Sequence, residues 1–137
     1  MDEYRDARTD DAAEIRLTLL AEPSSVILAR EMVRYALTQW GYPKDTVHDS
    51  MLVMSEMATN AVNAAQGAEI QLRCTVYGHA PLLECWDPSP VFPAQPPAPE
   101  DAESGRGLTI IAAYAKDSGL RPSGTGRGKT IWALMPA

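Results

Sequence analysis

Polar and apolar residues alternate over residues 14–20, EIRLTLL, which sets Ile15, Leu17 and Leu19 on one side. Alternation with period two predicts a half-buried strand. The period then lengthens. After Pro23 and Ser24, apolar residues recur at Val26, Ala29, Val33, Leu37 and Trp40. That spacing predicts a helix, and Pro suits its first turn because the missing N–H has no partner there anyway. Gly41, with Pro43 beyond it, marks the helix end. A second, longer helix is predicted over residues 44–65. Its apolar stripe is Val47, Met51, Met54, Ala58, Ala61 and Ala65. At roughly 100° per residue these six fall within an arc of about 80°. The small residues in the stripe let this helix lie close to a sheet. Asp49, Glu56, Asn60 and Asn63 fall nearly opposite.

Gly67 breaks the second helix, and strands are predicted over 69–77 and 81–87, linked by a hairpin turn at Gly78–His79–Ala80. Residues 88–103 then hold Pro88, Pro90, Pro93, Pro96, Pro97 and Pro99. This excludes a regular helix or a central strand, and a loop of that length points to function or disorder. After Ser104–Gly105–Arg106–Gly107 comes a helical pattern at Leu108, Ile110, Ile111, Ala112 and Ala115. A short segment near 118–121, a glycine-rich turn SGTGRG and a last strand over 130–135 follow. With no internal repeat and no composition break between domains, residues 1–137 read as one domain with a flexible tail at 1–12. The expected architecture is a two-layer α/β sandwich: a mixed, mainly antiparallel sheet with helices on one face.

Composition narrows the partners. The chain of 137 residues is 45% hydrophobic, enough for one core, and its net charge is -6 from 12 Lys+Arg against 18 Asp+Glu. That sign, with no run of Lys or Arg, argues against nucleic acid, whose phosphates need a basic footprint. Cys74 and Cys85 have neither CxxC spacing nor a nearby His in sequence, so buried free thiols are expected. The opening MDEYRDARTDD lacks the basic start and apolar run of a signal peptide. No apolar stretch reaches the roughly 20 residues that cross a bilayer. The expectation is a cytoplasmic protein with no membrane partner.

Few residues are placed to do chemistry. Glu56 and Asn60, at i and i+4, project from one patch of the second helix. A carboxylate there can serve as a general base, and an amide oxygen suits Mg²⁺; the pair equally fits a solvated helix face. Asp87 ends a strand and enters the turn DPSP, where it can cap the turn or accept a hydrogen bond from an exocyclic amine. Ser104–Gly105–Arg106–Gly107 stands at a helix start, a natural place for phosphate, although glycines also serve loop geometry. Gly126–Arg127–Gly128–Lys129–Thr130 is not a P-loop: Ser123 stands where a glycine is needed, and a strand follows instead of a helix. His48 and His79 read as surface residues.

In order and spacing these segments resemble the ATPase superfamily shared by gyrase, histidine kinases, mismatch-repair ATPases and the chaperone of the same fold. Met54–Ser55–Glu56–Met57–Ala58–Thr59–Asn60–Ala61–Val62 resembles its Asn-containing helix box. Glu84–Cys85–Trp86–Asp87–Pro88–Ser89–Pro90 is similar to its adenine-recognising Asp box, Ser104–Gly105–Arg106–Gly107–Leu108 to its second glycine box, and Gly128–Lys129–Thr130–Ile131–Trp132 to its closing Gly-Thr box. The DPSP and ESGRGL forms resemble the branch of anti-sigma-factor serine/threonine kinases. Ser89 stands where the broad superfamily has a glycine, and Ala64 where many relatives carry a His. The resemblance implies a cytoplasmic protein that binds ATP and Mg²⁺, phosphorylates a serine of an anti-sigma-factor antagonist or sequesters a sigma factor, and forms a homodimer as relatives do. It assigns Glu56 as base, Asn60 as Mg²⁺ ligand and Asp87 as adenine contact. Ser104, Gly105, Arg106, Gly107 and Leu108 would lie at the phosphates, Thr130 at the adenine side, and 88–103 would form the lid. The alternatives are an ATP-gated interaction module without catalysis, and an inert domain that keeps the fold.

Overall fold

The computed structural model describes residues 13–90, 106–123 and 126–137. The elements run β1 (Glu14–Leu20), α1 (Pro23–Gln39), α2 (Lys44–Ala64), β2 (Glu69–Tyr77), β3 (Ala80–Asp87), α3 (Arg106–Tyr114), β4 (Asp117–Pro122) and β5 (Lys129–Leu134). The five strands form one sheet in the order β1-β2-β3-β5-β4. Every neighbouring pair is antiparallel, which narrows the expected mixed sheet to a purely antiparallel one among the described residues. The hairpin between β2 and β3 is tighter than the sequence suggests: Tyr77 pairs with Ala80, leaving Gly78 and His79 as a two-residue turn. Gly78 sits at φ +65°, the first central position where the tight hairpin turns favour glycine.

The helices cover one face of the sheet. Alternation along each strand sends Ile70, Leu72 and Cys74 of β2, Leu83 and Cys85 of β3, and Ile131 and Ala133 of β5 into the core shared with α1, α2 and α3. α1 contributes Ala29, Met32, Val33, Ala36 and Leu37. Of the six positions expected, Val47, Met54, Ala58 and Ala61 are buried and Met51 and Ala65 half-buried, and α2 buries Ser50, Val53, Met57 and Val62 as well. Ala58 and Ala61 are all but fully enclosed, and their small side chains let α2 sit directly on β3. Both cysteines are free and buried. Burial, with the Glu84 charge adding to it, pushes the Cys74 thiol up to about 12. Burial and then Asp87 push Cys85 up as well, against an opposing pull from Lys129.

The opposite face is held by charge. Glu84, only 5% exposed, pairs with Arg73 of β2 at 2.8 Å and with Arg121 of β4. Arg73 also reaches Glu14 of β1 at 3.1 Å, and Glu14 bonds Arg16. This ladder ties together strands far apart in sequence. The hydrogen bond from Arg16, and those from Arg73 after it, hold the Glu14 carboxyl below its ordinary value. A lowered carboxylate pKa stabilises the fold at neutral pH and stops doing so as acid protonates the group. A small apolar cluster, Ala80, Leu82, Trp132 and Leu134, also lies on this face.

Replacing Ala58 by Leu should overpack the α2–β3 contact and destabilise the domain by about 1–3 kcal/mol, read as a lower thermal midpoint by circular dichroism.

Candidate functional site

α2 is the element around which the site is built, since it packs against β3, α1 and α3. Glu56 and Asn60 lie one turn apart on it, with Cβ atoms about 5–6 Å from each other, and both are half-buried. The two hydroxyls beside them turn back into their own helix: Ser55 Oγ donates to the Met51 carbonyl at 3.0 Å and Thr59 Oγ1 to the Ser55 carbonyl at 2.8 Å. Glu56 and Asn60 therefore carry the free polarity of this stretch. The Asn60 amide nitrogen is buried with no hydrogen-bond partner. Leaving such a group unmet costs on the order of 1–3 kcal/mol, and a ligand removes that cost. A flip of the amide presents its oxygen instead, the kind of neutral oxygen that Mg²⁺ accepts.

α3 packs on α2, and Arg106 and Gly107 form its first turn, where backbone N–H groups have no partner within the helix. Leu108 is half-buried and packs against the core. Ser104 and Gly105 lie outside the described residues, as does the expected lid from residue 91 on.

Asp87 is the last residue of β3 and points to the helix side, with Leu83 and Cys85. It is 1% exposed. Its Oδ1 accepts the Ser89 backbone N–H at 2.8 Å, which closes the DPSP turn. The same oxygen accepts a hydrogen bond from Lys129 Nζ at 2.8 Å, inside a buried ion pair. Lys129 is itself 1% exposed and gives a further, longer bond of 3.3 Å to the Ser89 carbonyl. The cause is register: Lys129 lies directly across from Asp87 in the β3–β5 ladder, so both side chains emerge on one face.

The backbone around the pair is equally constrained. Gly128 has φ +78°, and a Cβ on it would stand 2.1 Å from the Asp87 carbonyl oxygen and 2.8 Å from Pro88 Cα. Only glycine permits this approach. Trp86 Nε1 donates to the Arg127 carbonyl at 3.1 Å, which holds the turn entering β5.

Thr130 is one residue further on and so faces the other way. It lies across from Trp86 and lines an open groove of about 480 Å³ with Arg16, Thr18, Gln71 and Glu84 on the helix-free side. The resemblance put Thr130 at the adenine side; the β5 residue that meets Asp87 is Lys129. Sequence reading missed Lys129 because it treated the residue as a strand start. The signal was there in the alternation: Ile131, Ala133 and Met135 face the core, and two residues earlier falls Lys129.

The sequence matches the family described as Histidine kinase-like ATPase domain over residues 19–134. Among curated proteins none matches. A similar solved structure is a chain of Mycobacterium tuberculosis, titled as the RsbU and RsbW domains of Rv1364c, with a TM-score of 0.68 and 17% identity. The match covers 89% of this chain and 32% of that one, so this chain spans about a third of that chain's length. At this identity the likeness shows a shared fold.

Truncating Lys129 to Ala should leave Asp87 buried without its counter-charge and destabilise the domain by about 3–5 kcal/mol. Adding Asp87→Asn to the Lys129→Ala background should recover part of that loss in a double-mutant cycle of denaturant midpoints. Gly128→Ala should push the start of β5 away from Pro88 and lower the melting temperature with both charges intact.

Proposed function

The chain belongs to the histidine kinase-like ATPase family, and on that premise we propose that it is a cytoplasmic nucleotide-binding regulator of the anti-sigma-factor kinase kind. In this reading it holds Mg-ATP along α2 and α3, phosphorylates a serine on an antagonist protein, and binds a sigma factor when that antagonist is absent. The observation that carries the reading is the buried, unpartnered amide nitrogen of Asn60, one turn from the carboxylate of Glu56. Those residues fit a metal-bound triphosphate. The chain's acidic balance agrees with protein partners rather than nucleic acid.

Bound Mg-ATP would supply the electrophilic phosphorus and the divalent charge. The rest falls to the protein. Asn60 would hold the metal through its amide oxygen, and the head of α3, preceded by Ser104 and Gly105, would face the phosphates with its backbone N–H groups. Glu56 would orient the attacking serine hydroxyl and take its proton. Catalysis of this type is mostly positioning and charge stabilisation, so the Glu56 carboxylate needs above all a fixed place.

A second reading has its own support. The Asp87–Lys129 ion pair engages the carboxylate expected to meet the adenine amine, which favours a module whose partner affinity responds to nucleotide without phosphoryl transfer.

Calorimetry with Mg-ATP separates these outcomes. Asn60→Ala should weaken binding about tenfold or more, a change of at least 1.4 kcal/mol. Glu56→Gln should still bind Mg-ATP yet lose transfer of radiolabel to a serine-bearing antagonist by about 10²–10⁴-fold. Binding by Asn60→Ala equal to the parent would remove the magnesium assignment. Intact binding with no label on any partner protein would select the module.

A further inference from the structure

We propose that Lys129 is a positioning residue for base recognition: by holding Oδ1 of Asp87 it fixes the carboxylate so that Oδ2 is the oxygen presented to the exocyclic amine of adenine. This role rests on the nucleotide reading above, with or without phosphoryl transfer, and specifies its base end.

The two oxygens of Asp87 are not equivalent. Oδ1 accepts from Lys129 Nζ and from the Ser89 N–H, each at 2.8 Å. Oδ2 takes no donor among the described residues. The torsion that sets the plane of a carboxylate is broad when nothing holds it. Here two donors from different directions fall on one oxygen, one from the turn after β3 and one from across the ladder. Lys129 also reaches the Ser89 carbonyl at 3.3 Å, so lysine, carboxylate and turn form a closed ring of contacts. A carboxylate has about four lone-pair sites. Those of Oδ1 are engaged inside the fold, and those of Oδ2 remain for a ligand. An ionised carboxylate only accepts, so Oδ2 suits an N–H donor and repels a carbonyl oxygen in the same place. Adenine offers the amine there, whereas hypoxanthine and guanine offer the carbonyl.

The lysine is itself held in place. Its backbone is fixed by the ladder opposite Asp87, by Gly128 pressed against the Asp87 carbonyl and by the Trp86 bond to Arg127 just before it. Lys129 is 1% exposed, so its ammonium serves Asp87 and Ser89 rather than solvent. A charge-assisted hydrogen bond of this kind is also stronger than a neutral one, which makes it a firm anchor for Oδ1. The triphosphate end lies on other elements, since Glu56 and Asn60 belong to α2 and the phosphate-facing N–H groups to α3. A change at Lys129 therefore acts on the choice of base and leaves the groups for phosphate and metal intact.

The test compares Mg-ATP with Mg-ITP, which share ribose, triphosphate and metal, by calorimetry on the wild-type chain and on Lys129→Met, with circular dichroism confirming the fold of the variant. The ratio of the two affinities is the readout, because a loss of folded protein alone weakens both alike. The wild type should favour ATP by about a hundredfold or more, since a site built around an N–H donor rejects the analogue that lacks it. Lys129→Met keeps the length of the side chain and removes the donor, and it should lose about tenfold or more of that preference. A folded Lys129→Met with the wild-type ratio overturns the assignment. A wild type that binds Mg-ATP but favours it by less than about tenfold also overturns it, and leaves the nucleotide reading standing. If the wild type binds neither nucleotide, both fall. Should Lys129→Met not fold, a crystal structure of the wild type with a nonhydrolysable ATP analogue decides. Nζ on Oδ1 with the amine on Oδ2 is the expected arrangement, and an amine on Oδ1 or a lysine withdrawn from Asp87 overturns it.

Discussion

Two opposite charges, buried where β3 ends and β5 begins, set the terms for the rest of this molecule. A lysine and an aspartate at 1% exposure each are tolerated only because each fills the other's need at 2.8 Å and a turn amide and carbonyl complete the shell. Desolvating such a pair is costly, and its geometry must be held by surrounding backbone. The fold supplies that through the cross-strand register, a glycine with no room for a side chain, and an indole bond over the turn. The pair then sits at one end of a helix–sheet interface that is mostly apolar.

The two faces of the sheet divide the labour. On the helix side, apolar residues from all three helices meet those of the strands, while α2 carries Glu56 and Asn60 and β3 ends in Asp87. On the other side, charged residues link β1, β2, β3 and β4 through Glu14, Arg73, Glu84 and Arg121. A ladder of partly buried, shared ion pairs orders fewer side chains per contact than isolated pairs do. It gives this face specificity in strand order rather than bulk hydrophobic stabilisation.

Much of this architecture is written in local pattern. The alternation of residues 14–20 marks β1 to the residue, and the three-and-four spacing from Val26 to Trp40 marks α1. Asn60 and Glu56 stand out because a helix face with chemistry differs from a helix face with packing in residue type. What pattern does not carry is pairing. The antiparallel sense of every neighbour, and the meeting of Glu14 with Arg73 across 59 positions, depend on which strands come together. The face of Thr130 turns on a single-residue frame: one step along a strand exchanges core for the opposite side. Reading the closing box from Thr130 rather than from the inward alternation of Ile131, Ala133 and Met135 passed over Lys129, the residue that meets Asp87.

The strand order β1-β2-β3-β5-β4 has an effect on how the molecule comes into being. β5 is the last strand in sequence but lies inside the sheet, between β3 and β4. During synthesis β3 and β4 therefore emerge with their inner edges unpaired, and the sheet closes only when β5 slots between them. Until then the exposed edges are vulnerable to mispairing. The same step brings Lys129 to Asp87, so completion of the sheet and neutralisation of its buried acid are one event.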